Sequence, residues 1–313
     1  MELRHLRYFI AVAEEGHITR AAERLGMQQP PLSQRIKTIE RELDVQLFHR
    51  KARGVELTDA GHAFLDNARA TLAQLDQTFE ATRRTARGEQ GRISLGSASS
   101  VAFHPLVPRV IREFRAAFPL VSVTMAEGFP HDFIEGVRNG QIDVAFIRTP
   151  VAGVEGLAIE PLLKESMVVA LPSGHRLAQS KKNSDTALPL KALADDTFIL
   201  YGRPDGAMTM QTSAIMAACH AAGFNPRVGQ TVPHVVSSLN LVAAGLGIFF
   251  VSASMRRMNF EGVVYRRLKG VRQPTLPLNL VSRRGDPSAV TRQFLKLVKR
   301  TAINFRGDAG KVP

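Results

Sequence analysis

The sequence has few of the residues and segments that support disulfides or membrane spans. Cys219 is the single cysteine among 313 residues, so no intrachain disulfide can form. No apolar run approaches the roughly 20 residues that cross a bilayer. Arg4 and Arg7 lie within an amphipathic pattern at the amino terminus rather than ahead of an apolar signal core. These absences predict a soluble, cytoplasmic protein with no membrane partner.

Motifs of common enzyme classes are also absent. The sequence has no G-x-S-x-G, G-x-x-x-x-G-K-S/T or H-E-x-x-H motif, and its nine histidines are scattered without metal-ligand spacing. Gly245-Leu246-Gly247 precedes a predicted strand and indicates a turn, and Cys219 lies in an alanine-rich helix where we expect it to pack. We therefore expect no catalytic residue, no metal and no cofactor. An enzyme is the first alternative class of function, and the sequence gives it little support.

Acidic residues are outnumbered by basic ones, but the excess is uneven. The formal net charge is +13, which favours association with a polyanion. Residues 1–60 hold ten Lys and Arg against nine Asp and Glu, whereas residues 256–300 hold twelve against two. The basic stretch predicts a solvated surface, with ligand attraction, subunit contacts or non-specific DNA contacts as alternatives.

What is present begins with an amphipathic pattern over residues 2–57. Apolar residues at three- and four-residue spacing predict two short helices, with Leu3, Leu6, Ile10 and Ala13 in the first and Ile18, Ala21, Ala22 and Leu25 in the second. Gly16 can end the first helix in the left-handed conformation, and Gly26 permits a tight turn. Gln29-Pro30-Pro31 begins a third helix, because proline at a first helical position loses no intrahelical bond. This order predicts a helix-turn-helix.

The third predicted helix has two chemically different faces. Its inner face carries Leu32, Ile36, Ile39 and Leu43, and its outer face carries Pro30, Ser33, Gln34, Lys37 and Arg41. Amide, hydroxyl and guanidinium groups can hydrogen-bond to base edges in a major groove, and lysine can contact phosphates. The alternative is an ordinary solvated helix face.

Two short strands are predicted after the third helix, at residues 47–50 and 55–57. The turn between them, at residues 51–54, brings Arg50, Lys51 and Arg53 to the tip of a hairpin. Cations at such a tip would contact phosphates or enter a minor groove. Residues 1–57 are therefore predicted to form a winged helix-turn-helix domain, whose partner is a double-stranded DNA operator.

Dense motifs across residues 3–61 resemble one known family, the LysR-type transcriptional regulators. They are F-x-A-V-A-E at 9–14, T-R-A-A-E-R-L at 19–25, Q-P-P-L-S at 29–33, I-E-x-E-L at 39–43, L-F-x-R at 47–50 and L-T-x-A-G at 57–61. The resemblance implies DNA contacts at Gln29, Pro30 and Ser33 of the helix and at Arg53 of the wing.

One position departs from the family pattern. Many members have arginine directly after that serine, whereas this chain has Gln34 there, followed by Arg35. Either residue can therefore be the one that contacts a base. Lys37 and Arg50 complete the candidate DNA-binding residues, as groups that contact phosphates.

Residues 58–91 are predicted to form a long helix and a hinge. Thr58 can cap a helix that runs to about residue 87, roughly 45 Å at about 1.5 Å per residue. Spacings of four and three alternate along one seam, made of Gly61, Leu65, Ala68, Leu72, Leu75, Phe79, Thr82 and Ala86. That heptad pattern predicts pairing of two such helices in a dimer. The alternative is a helix that packs on its own domain.

From residue 92 onward predicted strands alternate with helices. The strands are at 92–96, 121–125, 143–147, 167–171, 198–201, 248–251 and 278–282, and the helices at 105–117, 133–139, 210–222, 235–244 and 289–302. This alternation predicts an α/β fold with parallel sheets covered by helices.

The family resemblance extends more loosely over this part, where G-x-I-D-V-A-F at 140–146, with Gln141 as x, and L-V-A-A-G-L-G-I at 241–248 are its landmarks. It implies two Rossmann-like lobes of the periplasmic-binding-protein (type 2) kind. Lobe I would hold residues 92–163 and 267–303, and lobe II residues 164–266. The crossovers would lie near 162–164 and 264–268, and residues 304–313 would form a flexible tail.

Candidate effector-binding residues follow the predicted strands, because such domains bind ligands in the cleft outside the carboxyl ends of their strands. They are Ser99, Ser100, Phe129, Arg148, Tyr201, Arg203 and His234. Arginines beside serine hydroxyls would bind a carboxylate, and two aromatic side chains would flank a ring or hydrocarbon. For each residue, ordinary loop packing is the alternative.

The family resemblance implies an effector contact at Ser99 or Ser100. Some relatives that respond to aromatic acids carry a threonine after the second strand. This chain has Phe129 and Pro130 there, so the hydrogen-bonding pattern of those relatives does not transfer whole.

The sequence therefore predicts a DNA-binding regulator that senses a small, anionic metabolite. The resemblance implies a homotetramer built as a dimer of dimers, and an activator of this kind would also contact RNA polymerase. A solute-binding protein without DNA function is the second alternative. It would need an export signal and would not carry residues 1–57.

Overall fold

The computed structural model describes residues 1–148, 155–178, 187–202, 208–270, 273–285 and 288–309. The chain divides into two units, Met1–Arg84 and Thr85–Pro313. Within the described residues, the structure contains no helix with the length and apolar character needed to cross a membrane.

The first unit begins with three helices and a two-stranded wing. They are α1 (Leu3–Glu15), α2 (Ile18–Arg24), α3 (Gln29–Leu43), β1 (Phe48–Lys51) and β2 (Gly54–Leu57). Gly16 ends α1 with φ 59°, the left-handed conformation expected of it, and its N–H donates to the carbonyl of Val12. The apolar faces of the three helices meet in one core, which includes Phe9, Leu32, Ile39 and Phe48.

The wing is tighter than its sequence suggests. Its strands pair antiparallel from Phe48 with Leu57 to Lys51 with Gly54, so the turn contains only Ala52 and Arg53. The predicted four-residue turn at 51–54 is wrong by one residue at each end. Gly54 has φ 123°, and a Cβ there would lie 2.3 Å from the carbonyl oxygen of Gly16. Glycine is therefore required where the wing meets the end of α1.

The long helix α4 (Asp59–Arg87) follows the wing. The Thr58 hydroxyl accepts the N–H of Gly61 at 2.9 Å, as expected for a helix cap. A Cβ on Gly61 would lie 2.1 Å from the carbonyl oxygen of Leu47, so the seam begins against the chain's own wing rather than against a partner. Farther along the seam, Leu72 and Leu75 are half-buried and Phe79 is 54% exposed.

The second unit alternates strands and helices. In chain order they are β3 (Gln90–Ala98), α5 (Ser99–Ala102), α6 (Leu106–Ala117), β4 (Leu120–Gly128), α7 (Pro130–Arg138), β5 (Val144–Ile147), β6 (Leu157–Pro172), β7 (Leu188–Pro189), β8 (Thr197–Tyr201), α8 (Met210–Ala221), β9 (Arg227–Val232), α9 (Val235–Ala243), β10 (Ile248–Ser252), β11 (Val263–Lys269), β12 (Thr275–Arg283) and α10 (Ala289–Ala309). Two 3-10 segments, Leu190–Leu193 and Ala253–Arg257, complete the set.

The strands form two lobes that share the long strand β6. In lobe I the order is β4-β3-β5-β12-β6, and in lobe II it is β6-β10-β8-β9, with β11 also paired to β6. The outer strands of each lobe are parallel, as predicted, but β6 is antiparallel to β12, β10 and β11. The sheets are therefore mixed rather than purely parallel.

Helices cover both faces of each lobe. In lobe I, α6 and α10 pack on one face through Val110, Phe114 and Phe294, and α7 packs on the other through Phe133 and Val137. In lobe II, α8 packs on one face through Ile215 and Cys219, and α9 packs on the other, with Leu239 and Val242 among its buried residues. The buried Cys219 is a core residue, as its alanine-rich helix predicted.

Three predicted boundaries differ from the structure. The first crossover lies in β6 near Ser166, a little after 162–164, because Leu157–Ser166 pairs with β12 and the following residues with lobe II. The second crossover is wrong at 264–268, because those residues belong to β11; the chain returns to lobe I between Lys269 and Thr275. Residues 304–309, predicted as part of a flexible tail, continue α10, so the helix predicted at 289–302 is too short.

Candidate functional site

The outer face of α3 forms a shallow, polar surface. Leu32, Ile36 and Ile39 anchor the opposite face in the core. The surface is a depression of about 530 Å³ lined by Gln29, Pro30, Ser33, Gln34, Lys37, Thr38 and Arg41. Five of the DNA-binding candidates predicted for the helix thus share one face, namely Gln29, Pro30, Ser33, Gln34 and Lys37. Thr38 was not predicted, although it lies one turn beyond Gln34, whose carbonyl accepts its hydroxyl at 2.9 Å.

Gln34 and Arg35 differ in where they lie on α3. Both side chains are exposed, but Gln34 lines the depression together with Ser33, whereas Arg35 does not. A rotation of about 100° per residue separates neighbouring side chains on a helix. Gln34 is therefore better placed than Arg35 to reach the surface that Ser33 reaches.

The wing presents exposed cations on β1 and in its turn. Arg50 and Arg53 are exposed, on β1 and in the turn. Lys51 Nζ lies 2.9 Å from Glu56 Oε2 across the hairpin, so its charge is partly compensated. Arg50 and Arg53 are thus the stronger candidates for phosphate contacts in the wing.

The second unit contains a cavity of about 260 Å³ at the carboxyl ends of its strands. Four residues predicted for the effector site line it, namely Ser100 after β3, Phe129 after β4, Arg148 after β5 and Tyr201 at the end of β8. The rings of Phe129 and Tyr201 are 6.4 Å apart between centroids, with 25° between their planes. The cavity therefore joins residues of both lobes, as the sequence predicted. We call it the effector cleft.

Among the described residues that line the effector cleft, Arg148 carries the positive charge, and it is only 5% exposed. Its Nη2 donates to Glu165 Oε2 at 2.6 Å. Its Nε and Nη1 are buried and have no hydrogen-bond partner among the described residues. A guanidinium with free donors beside an apolar cavity can bind an anionic group of a ligand.

Glu165 holds Arg148 and also contacts two further groups. One oxygen accepts the backbone N–H of Ser254, and the other lies 3.9 Å from His104 Nε2. Burial raises the pKa of Glu165, but the charge of Arg148 and these hydrogen bonds outweigh that effect and leave the pKa below its ordinary value. Burial lowers the pKa of His104 to about 4, with the charges of Arg148 and Arg257 adding to the effect and Glu165 opposing it.

Of the three remaining predicted effector residues, one lies away from the effector cleft and two fall outside what the structure describes. His234 is exposed at the start of α9 and does not line the cavity. Arg203 lies outside the described residues, and so does the side chain of Ser99.

Several residues that line the effector cleft were not predicted. They are Ala98, Pro130, His131, Ile134, Met208, Thr209, Met210, Gln211 and Leu276. Thr209 caps α8, and both Thr209 and Thr212 donate to the carbonyl of Tyr201, which fixes the start of α8 at the cleft. A sequence signal was available for the residues at the start of α8, because Thr209 precedes an apolar helical pattern and is a favoured helix cap.

Part of the basic stretch at 256–300 is structural rather than simply solvated. Arg266 is buried and donates to the carbonyl of Leu177, and Arg283 pairs with Asp143 at 3.0 Å. Among the residues that the structure describes, no three His, Cys, Asp or Glu side chains are grouped so as to hold a metal ion.

Comparison with known proteins agrees with this architecture. The family description "Bacterial regulatory helix-turn-helix protein, lysR family" matches residues 3–62, and "LysR substrate binding domain" matches residues 86–302. The chain belongs to the LysR family of transcriptional regulators. This confirms the resemblance found in the motifs at residues 3–61.

Individual relatives match along most of their length. The regulator AlsR of Bacillus subtilis is 38% identical over 268 residues, which cover 86% of this chain and 86% of AlsR. BenM of Acinetobacter baylyi is 35% identical over 265 residues, covering 85% of this chain and 84% of BenM. These relatives are named as transcriptional regulators, which sets the enzyme alternative aside.

Solved structures share the fold over the whole length of the chain. The crystal structure of CbnR, a LysR family regulator, is 29% identical with a TM-score of 0.84, and covers 95% of this chain and 100% of CbnR. The structure of full-length CbnR with its target DNA has a TM-score of 0.81 and covers 96% of this chain and 100% of CbnR. A winged helix-turn-helix followed by a two-lobed effector-binding domain is thus the fold of this protein.

Proposed function

We propose that the effector of this regulator is a small carboxylate with an apolar or aromatic body. The observation that carries the proposal is Arg148, whose buried Nε and Nη1 have no protein acceptor among the described residues and which lines an apolar cavity. A carboxylate would supply the missing acceptors, and Ser100, which lines the same cavity, has a hydroxyl that would donate a further hydrogen bond. Phe129 and Tyr201 would contact the ligand's body.

The size of the effector cleft limits the ligand. About 260 Å³ suits a molecule with one ring or a short chain, and the walls are mainly apolar apart from Arg148, Ser100, Thr209, Gln211 and His131. One guanidinium with free donors favours a single carboxylate at this end of the ligand. Because the ligand would touch both lobes, its binding would favour a more closed arrangement by its difference in affinity for the two states.

On DNA, we infer that Gln29, Pro30, Ser33 and Gln34 contact base edges and that Lys37, Arg50 and Arg53 contact phosphates, with Arg35 as the alternative to Gln34. Support comes from the shared face of Gln29, Pro30, Ser33, Gln34 and Lys37 on α3, from the exposure of Arg50 and Arg53 on the wing, and from CbnR, which has been solved with its target DNA. Pairing of α4 would give a dimer, and two dimers a tetramer. As an activator, the regulator would also contact RNA polymerase.

The experiment compares carboxylates with their primary amides. Aromatic and aliphatic carboxylates are screened by thermal shift, each beside the amide of the same shape, and positives are measured by calorimetry. A matching carboxylate at one hundred times its dissociation constant stabilises the native state by about 2.7 kcal/mol. The neutral amide should not.

Variants locate the site. Arg148→Lys keeps the charge but loses the fork of donors, so it should weaken carboxylate binding at least tenfold. Arg138→Lys, on the exposed side of α7, is the matched control and should bind normally. Equal binding by acid and amide, or full-strength binding by Arg148→Lys, would contradict the proposed ligand class.

A further inference from the structure

A second cavity, of about 620 Å³, lies between the lobes and shares no lining residue with the effector cleft. We call it the arginine cavity. Its walls come from the start of α6 and Phe305 of α10 in lobe I, and from the 3-10 segment Ala253–Arg257 and β11 in lobe II. Ser166, Met167 and Val168 of β6, where the chain passes from lobe I to lobe II, also line it. No role described above uses it.

The lining of the arginine cavity is basic. Arg109, Arg256, Arg257 and Arg267 line it, and no Asp or Glu does so in the described part of the chain. Arg109 Nε lies 3.0 Å from Glu113, so its charge is partly compensated. Arg256 and Arg257 are exposed on the 3-10 segment, and Arg267 is exposed on β11.

The buried Glu165 directly precedes Ser166, a lining residue of the arginine cavity. Glu165 is 9% exposed, and its oxygens already accept from Arg148 and from the backbone of Ser254. Arg257 lies close enough to His104 for its charge to help lower the pKa of that histidine. The Ser254 hydroxyl, also in the lining, is buried without a hydrogen-bond partner among the described residues.

We propose that the arginine cavity binds a small phosphate-bearing metabolite. Guanidinium groups stay charged over the whole physiological range and form paired hydrogen bonds with phosphate oxygens, so several around one cavity favour a multiply charged anion. Met167, Leu268 and Phe305 supply an apolar wall for the carbon skeleton of such a ligand. The site is independent of the carboxylate proposed for the effector cleft.

The test uses the full chain with pyrophosphate and glycerol 3-phosphate as probes, at constant ionic strength set with sodium chloride. Calorimetry should detect saturable binding of at least one probe, and glycerol should not bind. Arg257→Gln and Arg267→Gln should each raise the dissociation constant about tenfold or more. Arg227→Gln is the matched control, because Arg227 is exposed on β9 and does not line the cavity.

Three results would overturn the proposal. Equal weakening by Arg227→Gln would mean that the probes respond to net charge alone. Unchanged affinity in both cavity variants, with melting temperatures that show they are folded, would place the phosphate elsewhere. Loss of probe binding on adding saturating duplex DNA, with no effect of either cavity variant, would place it on the DNA-binding surface.

Discussion

At the scale of single residues, three buried ionisable side chains meet behind the effector cleft. Arg148 and Glu165 form an ion pair, and His104 lies 3.9 Å from the same carboxylate. Removing one member of such a buried pair costs about 3–5 kcal/mol, because the other charge is left uncompensated. Tests of ligand binding at Arg148 are therefore cleaner with lysine than with alanine.

His104 should make stability depend on pH. Burial lowers its pKa from 6.5 to about 4. Below pH 6.5, His104 is therefore protonated in the unfolded chain but stays neutral in the folded chain until the pH approaches 4. Stability is then lost as pH falls from 6.5 towards 4, by about 2 kcal/mol between pH 7 and pH 5. Urea unfolding followed by circular dichroism at both pH values measures this loss.

Asparagine at position 104 keeps an acceptor for the N–H of Leu106, which now donates to His104 Nδ1 at 3.2 Å, but does not titrate. His104→Asn should therefore lose about 2 kcal/mol less on acidification than the unaltered chain. His220→Asn, at an exposed position of α8, is the control and should keep the full dependence. An identical pH response in His104→Asn would show that other groups cause it.

Single substitutions on the outer face of α3 should each reduce specific binding to the operator. Ser33→Ala and Gln29→Ala should each weaken operator binding by about 1–3 kcal/mol without changing folding, because these side chains are proposed to contact bases. Gln77→Ala, on the exposed surface of α4, is the control. Gel shifts and footprints measure both. A Ser33→Ala protein that protects its operator like the unaltered chain would disprove the role of this face.

Arg53→Ala tests the wing separately. Since Arg53 is proposed to contact phosphate, its loss should weaken binding to many sequences alike and reduce the slope of log affinity against log salt by about one. Affinity is measured over a series of sodium chloride concentrations. A selective loss at one sequence would instead indicate a base contact.

At the scale of elements, the apolar seam of α4 packs on the chain's own winged helix in its first turns and is less buried in its later turns. Gly61 packs on Leu47 within the winged helix, and Leu65 packs against the same core. Leu72, Leu75 and Phe79 continue the seam without comparable burial. The alternative predicted for this helix, packing on its own domain, thus holds for its first turns. The later turns leave apolar side chains half-buried or exposed, and these form the surface proposed to pair with a second copy of the helix.

Leu72→Glu should weaken this pairing. A carboxylate buried between two helices costs several kcal/mol, so the variant should sediment as smaller species and lose cooperative operator binding. Gln77→Glu adds the same charge at an exposed position of α4 and should assemble normally. Unchanged sedimentation of Leu72→Glu at micromolar concentration would mean that α4 pairs through another surface.

At the scale of the whole molecule, DNA binding and ligand binding reside in separate units of the chain. The winged helix lies in Met1–Arg84, and the effector cleft lies in the second unit. A ligand that bridges the lobes can provide, at most, its difference in affinity between two arrangements for switching. The proposed switch would therefore depend on the lobes rather than on residues of α3.

Ser100→Ala and Arg148→Lys should separate the two activities. Both variants should bind the operator normally but lose the change in footprint that an identified carboxylate effector causes. Ser173→Ala, at an exposed position after β6, is the control for the serine and should keep the response. Footprinting with and without effector measures it. A full response in both cleft variants would place the effector elsewhere.

The sequence by itself determined most of the elements and where the candidate site residues lie along the chain. Apolar spacing predicted α1 to α4, and Gly16 predicted the end of α1. The ends of predicted strands indicated Ser100, Phe129, Arg148 and Tyr201 as candidate effector residues. These features are local, because helix and strand periods and the conformational freedom of glycine act over a few residues. The motifs at residues 3–61 also identified the family.

Only the tertiary structure decided which distant residues meet. Glu165 is 17 residues from Arg148 and 89 from Ser254, and no periodic pattern links them. Likewise, β6 belongs to both lobes. Arginines from the 3-10 segment Ala253–Arg257 and from β11 line one cavity, whereas the charge count alone predicted a solvated surface. Such contacts depend on how the sheets pack, and packing is set by long-range burial rather than by local sequence.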